Sequence, residues 1–261
     1  MKIGAPNFPS TTQTESVSNK LNNQLASGKR VTSAADDAAA LQIINRLTSQ
    51  QEGYSQSIRN AYDGISYSQT TDSALSGVND AVSRIRELSI QAGNGALTDS
   101  DRQALQDEVS QLQSQITDTF ENTTFGGQAL FDGNQTSFQV GPGANTTQGF
   151  TASDGSFANP ILSVDISTQA GAQTAIDAAD QVSEALNTQR TQLGAFENTL
   201  SSTIRGLGTQ RDNIAESQSR IQDTDYASAV AEQTANDILS QASIALRGQA
   251  NQSASSVLGL L

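Results

Sequence analysis

The chain has 261 residues and a formal charge of −13, with no His, no Cys, no Trp, one Met and 35% hydrophobic residues. Without His or Cys there is no zinc site of the usual ligand types, no Ser-His-Asp or Cys-His nucleophile and no imidazole base; the acidity opposes general nucleic-acid binding, which draws on basic patches. So little apolar and aromatic mass predicts a long, thin, half-exposed molecule rather than a globule with an ordinary core.

The opening MKIGAPNFPSTTQTES has neither an apolar h-region nor a small-residue cleavage site. No run of about 18 apolar residues follows anywhere, so no membrane insertion is expected and any export should use another route. Pro9 disfavours helix at Phe8 and lets one begin near residue 10, and Val17, Leu21 and Leu25 recur at helical spacing. Gly28-Lys29 faintly suggests a phosphate loop, but position 23 is Asn and position 30 is Arg, so the motif fails at both ends. Asp36-Asp37 lack the spacing that wraps an oxygen-liganded ion and read instead as dipole partners at a helix start, with Thr32/Ser33 and Asp36 as the N-cap.

From there no proline interrupts the run to QAGNG at 91–95, and Leu41, Ile44, Leu47, Ile58, Ile65, Leu75, Val78, Val82 and Ile85 supply one apolar face. Some sixty residues of helix would extend about 90 Å. Gly53 and Gly64 inside the run imply support from a neighbour. After a short loop, Thr98 caps a second helix carrying Leu105, Val109, Leu112, Ile116 and Phe120, folded back antiparallel on the first. Between 123 and 168, Gly pairs, Asp-Gly, Pro-Gly and Asn-Pro punctuate short runs, and SFQV and LSVDI read as strands. The sequons at Asn122, Asn134, Asn145 and Asn251 are read as chance matches in an Asn- and Thr-rich chain.

The C-terminal block shows the steadiest periodicity. Leu186, Leu193, Leu200, Leu207, Ile214 and Ile221 fall every seven residues, with Val182 and Phe196 between them, so this helix must lie along others. Gly194, Gly206 and Gly208 weaken it, leaving packing to hold it. Asp223 and Asp225 mark a turn, after which Ile238, Leu239, Ile244, Leu246, Val257, Leu258, Leu260 and Leu261 lie on a weakly apolar helix that one chain cannot bury. The expected fold is therefore mainly α, a long antiparallel helical bundle or coiled coil formed by both chain ends with a small β-hairpin region in the middle.

LASGKRVTSAADDAAALQIINRLTSQ, RNAYDGISYSQTTDSAL, RIRELSIQAGNGALTDSDRQALQDEV, SRIQDTDYASAVAEQTANDIL and QANQSASSVLGLL together resemble bacterial flagellin over most of 20–131 and 170–261, in the family's order. The resemblance implies a structural filament subunit, not an enzyme, with no cofactor, that polymerises with itself as a non-closing assembly. It implies export in the unfolded state by the flagellar type III apparatus, which the lack of cysteine suits, and an extracellular filament as destination. A dedicated chaperone on the C-terminal helix, a filament cap and hook-associated proteins are the implied partners. The implied division is an N-terminal inner-tube helix and connector at 1–32, two shell helices over 33–122, a variable hairpin region at 123–168, a long shell helix at 169–222 and a C-terminal inner-tube helix at 223–261. RIRELSIQ resembles the segment read by the host Toll-like flagellin receptor, which implies Arg84 and Leu88, with Glu108 on the next helix, as a recognition surface; alternatively Ile85 and Leu88 are ordinary seam residues. The atypical opening with Pro6 and Pro9 departs from the family pattern and implies a short inner-tube helix. A hook-filament junction protein is the alternative reading, and the metalloprotease carried by some flagellins would need H-E-x-x-H, which a chain without His cannot supply.

Overall fold

A computed structural model describes the backbone of residues 11–258 and, within that span, the side chains of 15–250 and 252. Pro6 and Pro9 lie outside it. In chain order the elements are α1 (Thr11–Ser27), α2 (Ala38–Ala92), α3 (Asp99–Asn122), β1 (Thr124–Phe125), β2 (Gln128–Ala129), β3 (Gln135–Gln139), β4 (Thr147–Thr151), α4 (Asn159–Leu162), α5 (Gln169–Gln222) and α6 (Tyr226–Leu258). The fold is mainly helical with two small antiparallel sheets, β1 with β2 and β3 with β4. Two compact units form, one from residues up to Gln51 together with those from Asp212 onward, the other from Glu52 to Arg211.

In the second unit α2, α3 and α5 pack around one apolar core. Arg86 pairs with Asp180 at 2.7 Å and Arg190 with Asp72 at 2.7 Å, so partners on α5 rise in number as those on α2 fall and the two helices run antiparallel. The core takes Leu75, Val82 and Ile85 from α2, Val109 and Ile116 from α3, and Val182, Leu186, Leu193 and Leu200 from α5. Near the start of α5, Ala172, Ala175 and Ala179 are buried too, small enough for the backbones to approach closely. Gly64 has the same role in sharper form, since a Cβ there would stand 2.9 Å from Leu200 Cδ1 and 3.3 Å from the Phe138 ring. At Gly53 a Cβ would meet Pro142 Cβ at 3.0 Å, in the turn of the β3–β4 hairpin. Gly194, Gly206 and Gly208 differ, because nothing lies within 4 Å of a Cβ at any of them.

Thr98 starts α3 with a reciprocal cap, its hydroxyl accepting from Asp101 N–H at 3.2 Å while Asp101 accepts from Thr98 N–H at 2.9 Å. Arg102, one residue on, is buried and closes the end of α2 by donating to Ala92 O at 2.9 Å and Asn94 O at 3.0 Å. The hairpin region joins the core through aromatic rings. Tyr67 meets Phe138 edge-on at 5.6 Å, Phe120 meets Phe131 at 5.0 Å, and Phe196 contacts Phe150 at 5.3 Å.

Two expectations about local structure fail. LSVDI is not a strand: Leu162 ends the helical turn α4 and 163–167 is irregular. Glutamines of α3 take the place of a partner strand there. Gln113 donates to the carbonyls of Ile161 and Val164, each at 3.0 Å, and Gln106 accepts from Ile166 N–H at 2.7 Å. Nor does α2 begin at Ser33. Asp36 draws the N–H and hydroxyl groups of Thr32 and Ser33 onto a single carboxylate oxygen at 3.0–3.3 Å, which makes a turn. The cap is Asp37, which accepts from Ala40 N–H at 2.9 Å.

Candidate assembly and recognition surfaces

Within the first unit the chain closes on itself at a clasp. Gly28 follows α1 with φ +69, a left-handed conformation that suits glycine and ends the helix. Lys29 then bridges Asp223 as an isolated antiparallel pair. Arg30 N–H donates to Gln222 O at 2.6 Å, Thr224 N–H donates to Gly28 O at 2.9 Å, and the Arg30 guanidinium reaches Ile221 O at 2.7 Å. The Tyr226 hydroxyl donates to Leu25 O. Asp36 adds an ion pair with Lys20 at 3.2 Å. Hydrogen bonds from Ser33, then Lys20 and Thr32, hold the Asp36 carboxyl well below the ordinary aspartate range. The stretch that hinted at phosphate or metal chemistry is a joint. Beneath it, Val31, Ala40 and Ile44 form a small core with Leu41 and Ile221 packed on it.

Helices α1 and α6 pack together, and the seam between them is unusual. On α6 the buried or half-buried positions are Ala229, Gln233, Asn236, Ser240, Ser243 and Arg247, spaced by three and four residues. Gln233 Nε2 donates to Ser18 Oγ at 3.0 Å, which places this stripe against α1. Its residues are small or polar. The large apolar side chains point elsewhere: Ile238 and Leu239 are each 61% exposed, Ile244 60% and Leu246 52%. Val257, Leu258, Leu260 and Leu261, expected to continue this surface, have side chains outside the described residues.

Of the seven-residue series on α5, Leu186, Leu193, Leu200 and Leu207 are buried, whereas Ile214 and Ile221 are half-buried. The companion positions three residues on explain the change. They read Ala175, Val182, Gln189 and Phe196, then Thr203, Gln210 and Ser217, so beyond Ile204, which still packs on the core, the apolar stripe narrows to one residue per heptad.

Arg84 and Glu108 join α2 to α3 at the surface. The guanidinium binds the Glu108 carboxylate at 2.8 Å and Glu87 at 3.1 Å. The hydrogen bond to Glu108, then that to Glu87, raises the Arg84 pKa above its already high ordinary value. Leu88 is elsewhere: it is 1% exposed and lies in the core. Leu88, one helical turn on from Arg84, packs inward and is not exposed beside the ion pair. One sequence does not separate the two roles, since a seam leucine and a contact leucine look alike there.

Among the described residues no group of three or more His, Cys, Asp or Glu side chains is placed to hold a metal ion, and no helix is long and apolar enough to cross a membrane.

The chain matches the bacterial flagellin N-terminal helical region over residues 8–136 and the bacterial flagellin C-terminal helical region over 176–261. It is 38% identical over 247 residues to a flagellin of Halalkalibacterium halodurans, covering 93% of this chain and 91% of that one. With a flagellin of Bacillus subtilis it shares 37% identity over 283 aligned residues, covering 94% and 93%. In structure it is similar to a Bacillus cereus flagellin, with a TM-score of 0.53 and 25% identity over 61% of this chain and 94% of that one. A structure described as a flagellar hook-associated protein of Vibrio parahaemolyticus gives a TM-score of 0.62 at 16% identity, over 72% and 100%, and speaks to the fold alone. A paired terminal-helix unit, a helical core beside a minimal hairpin region, and these two matched regions with near full-length relatives leave one assignment: the chain belongs to the bacterial flagellin family.

Proposed function

We propose that the chain is the repeating structural subunit of an extracellular flagellar filament, exported unfolded by the flagellar type III system and polymerised without catalysing a reaction. The observation that carries this reading is α6: a helix with Ile238, Leu239, Ile244 and Leu246 more than half exposed presents apolar surface that the described residues of its unit do not cover. A second copy of the chain, repeated by one helical operation, supplies that cover without limit. The same surface suits a chaperone that shields it before export, and the filament cap and hook-associated proteins are the partners at the two ends of such a polymer.

Electron microscopy after seeded polymerisation of the purified protein at neutral pH tests the main reading. Long filaments are expected, and failure to elongate under any seed would overturn it. The hook-filament junction reading is not favoured, because the relatives similar over nearly their whole length are flagellins.

Arg84 and Glu108, exposed and joined across α2 and α3, suit recognition by a host Toll-like receptor. Arg84→Ala is expected to lower receptor signalling while leaving the melting temperature nearly unchanged, since solvent screens an exposed ion pair and leaves it little weight in folding. An unchanged dose response refutes this assignment.

A further inference from the structure

We propose that the cleft between α2 and the two β-hairpins is a binding site for a guanidinium group. It encloses roughly 390 Å³ within the second unit. One face of α2 forms its floor with Asn60, Asp63 and Tyr67, at i, i+3 and i+7; Phe125 and Gln128 of the first hairpin and Phe138 of the second form its walls.

An exposed carboxylate by itself is merely hydrated, and Asp63 would mean little without its surroundings. Elsewhere in the same unit Asp72, Glu108 and Asp180 each hold an arginine. Asp63 has no ion pair among the described residues, and the lining of the cleft contains no Lys or Arg. Its net charge is therefore negative. Beside that carboxylate stands an aromatic wall. Phe125 and Phe138 are half-buried and each meets the buried Tyr67 edge-on, at 5.8 Å and 5.6 Å; an exposed aromatic face attracts a planar cation.

The backbone of β3 supplies the remaining acceptor. Val140 N–H donates to Thr146 O at 2.8 Å, and Phe138 opposes Gln148 in the ladder. In an antiparallel pair the bonded positions alternate, so Gln135, Ser137 and Gln139 direct their N–H and C=O groups away from β4. Gln139 does so visibly, its carbonyl accepting from Asn60 Nδ2 at 2.9 Å. The Ser137 carbonyl, next on that edge and also lining the cleft, has no such partner among the described residues. A guanidinium answers all of these at once: two N–H groups fork onto Asp63, others reach a backbone carbonyl and the Gln128 amide oxygen, and the plane lies on a ring. An ammonium has neither the fork nor the plane.

The group can come from a free small molecule or from an arginine side chain of a second copy of the chain. The first measurement is made on the monomer and does not depend on polymerisation: titration of N-acetyl-arginine methylamide, with the lysine analogue as control, followed by amide chemical shifts. Saturable shifts confined to residues 60–67 and 125–139 are expected, with the lysine analogue and the Asp63→Asn variant each at least about tenfold weaker. Asp63 is exposed, so the variant should melt as the parent does. Absence of saturable shifts in the cleft, equal affinity for the lysine analogue, or an Asp63→Asn variant that binds as well as the parent overturns the proposal. The second arm separates the sources. A several-fold rise in the critical concentration for polymerisation of Asp63→Arg assigns the guanidinium to a neighbouring copy, whereas an unchanged critical concentration alongside intact binding in the parent assigns it to a small molecule.

Discussion

The two units place their large apolar side chains in opposite ways. In the unit spanning 52–211, Leu75, Ile85, Ile116, Leu186, Leu193 and Leu200 point inward and are almost wholly removed from water. In the unit formed by the two chain ends, α6 turns an alanine, two serines, a glutamine and an asparagine inward, while its isoleucines and leucines face outward. The first arrangement stabilises a subunit by itself, because apolar burial supplies most of the favourable free energy of folding. The second leaves that term unused among the described residues, and on the proposed reading keeps it for association. One polypeptide thus carries both a self-sufficient core and, on α6, large apolar side chains left more than half exposed.

The sharpest way to break this contrast is to disrupt each apolar set in turn. Leu239→Asp should abolish polymerisation, since a carboxylate buried between subunits has no partner, yet leave the monomer melting curve where it was. Leu193→Ala should do the reverse, lowering monomer stability by about 3 kcal/mol through the cavity it leaves, as read by urea denaturation. If Leu239→Asp unfolds the monomer, the division between the units is wrong. A smaller effect comes from the glycines. Gly64→Ala would press a methyl against Leu200 and Phe138 and should cost about 1–3 kcal/mol. Gly206→Ala meets nothing and should stabilise α5 by up to about 1 kcal/mol in the same assay.

The smallest predicted effect concerns pH. Because hydrogen bonds from Ser33 and Thr32 and the Lys20 ammonium depress the Asp36 pKa from its ordinary 3.8, its contribution is complete above that value. It is lost only as the pH falls through the lower, folded-state pKa. Carboxyl NMR should show Asp36 still ionised where unperturbed aspartates protonate, and Asp36→Asn should remove the corresponding pH dependence of the clasp.

What could be read from the sequence follows from where periodicity carries information. Thr98 with Asp101, and Leu186 to Leu207 every seven residues, are local signals that tertiary structure left intact. LSVDI misled because its β-branched and apolar residues suit a strand, whereas Asn159-Pro160 begins a helical turn and α3 glutamines satisfy the backbone that follows; that outcome depends on residues some fifty positions away. The seam of α6 was invisible for another reason. A search for apolar stripes finds Ile238, Leu239 and Leu246, the residues facing away from α1, and passes over the small and polar side chains turned toward it. The start of α2 lies a few residues beyond the Thr32/Ser33 cap that the pattern suggests, because only the hydrogen bonds show that Asp36 serves the turn and Asp37 the helix. Asp63 carried no signal of its own, since the hairpins that enclose it lie more than fifty residues further along the chain.

The clasp also sets an order in time. Its bonds join residues 28–30 to residues 221–224, and α1 lies along α6. Closing so long a loop is entropically costly and must precede any gain from the contacts it permits. A chain of which only the first part has become available therefore lacks both α5, whose leucines complete the core around α2 and α3, and the helix against which its own first helix settles. The joint can close only once residues 221–226 are present, about two hundred positions beyond the residues they meet.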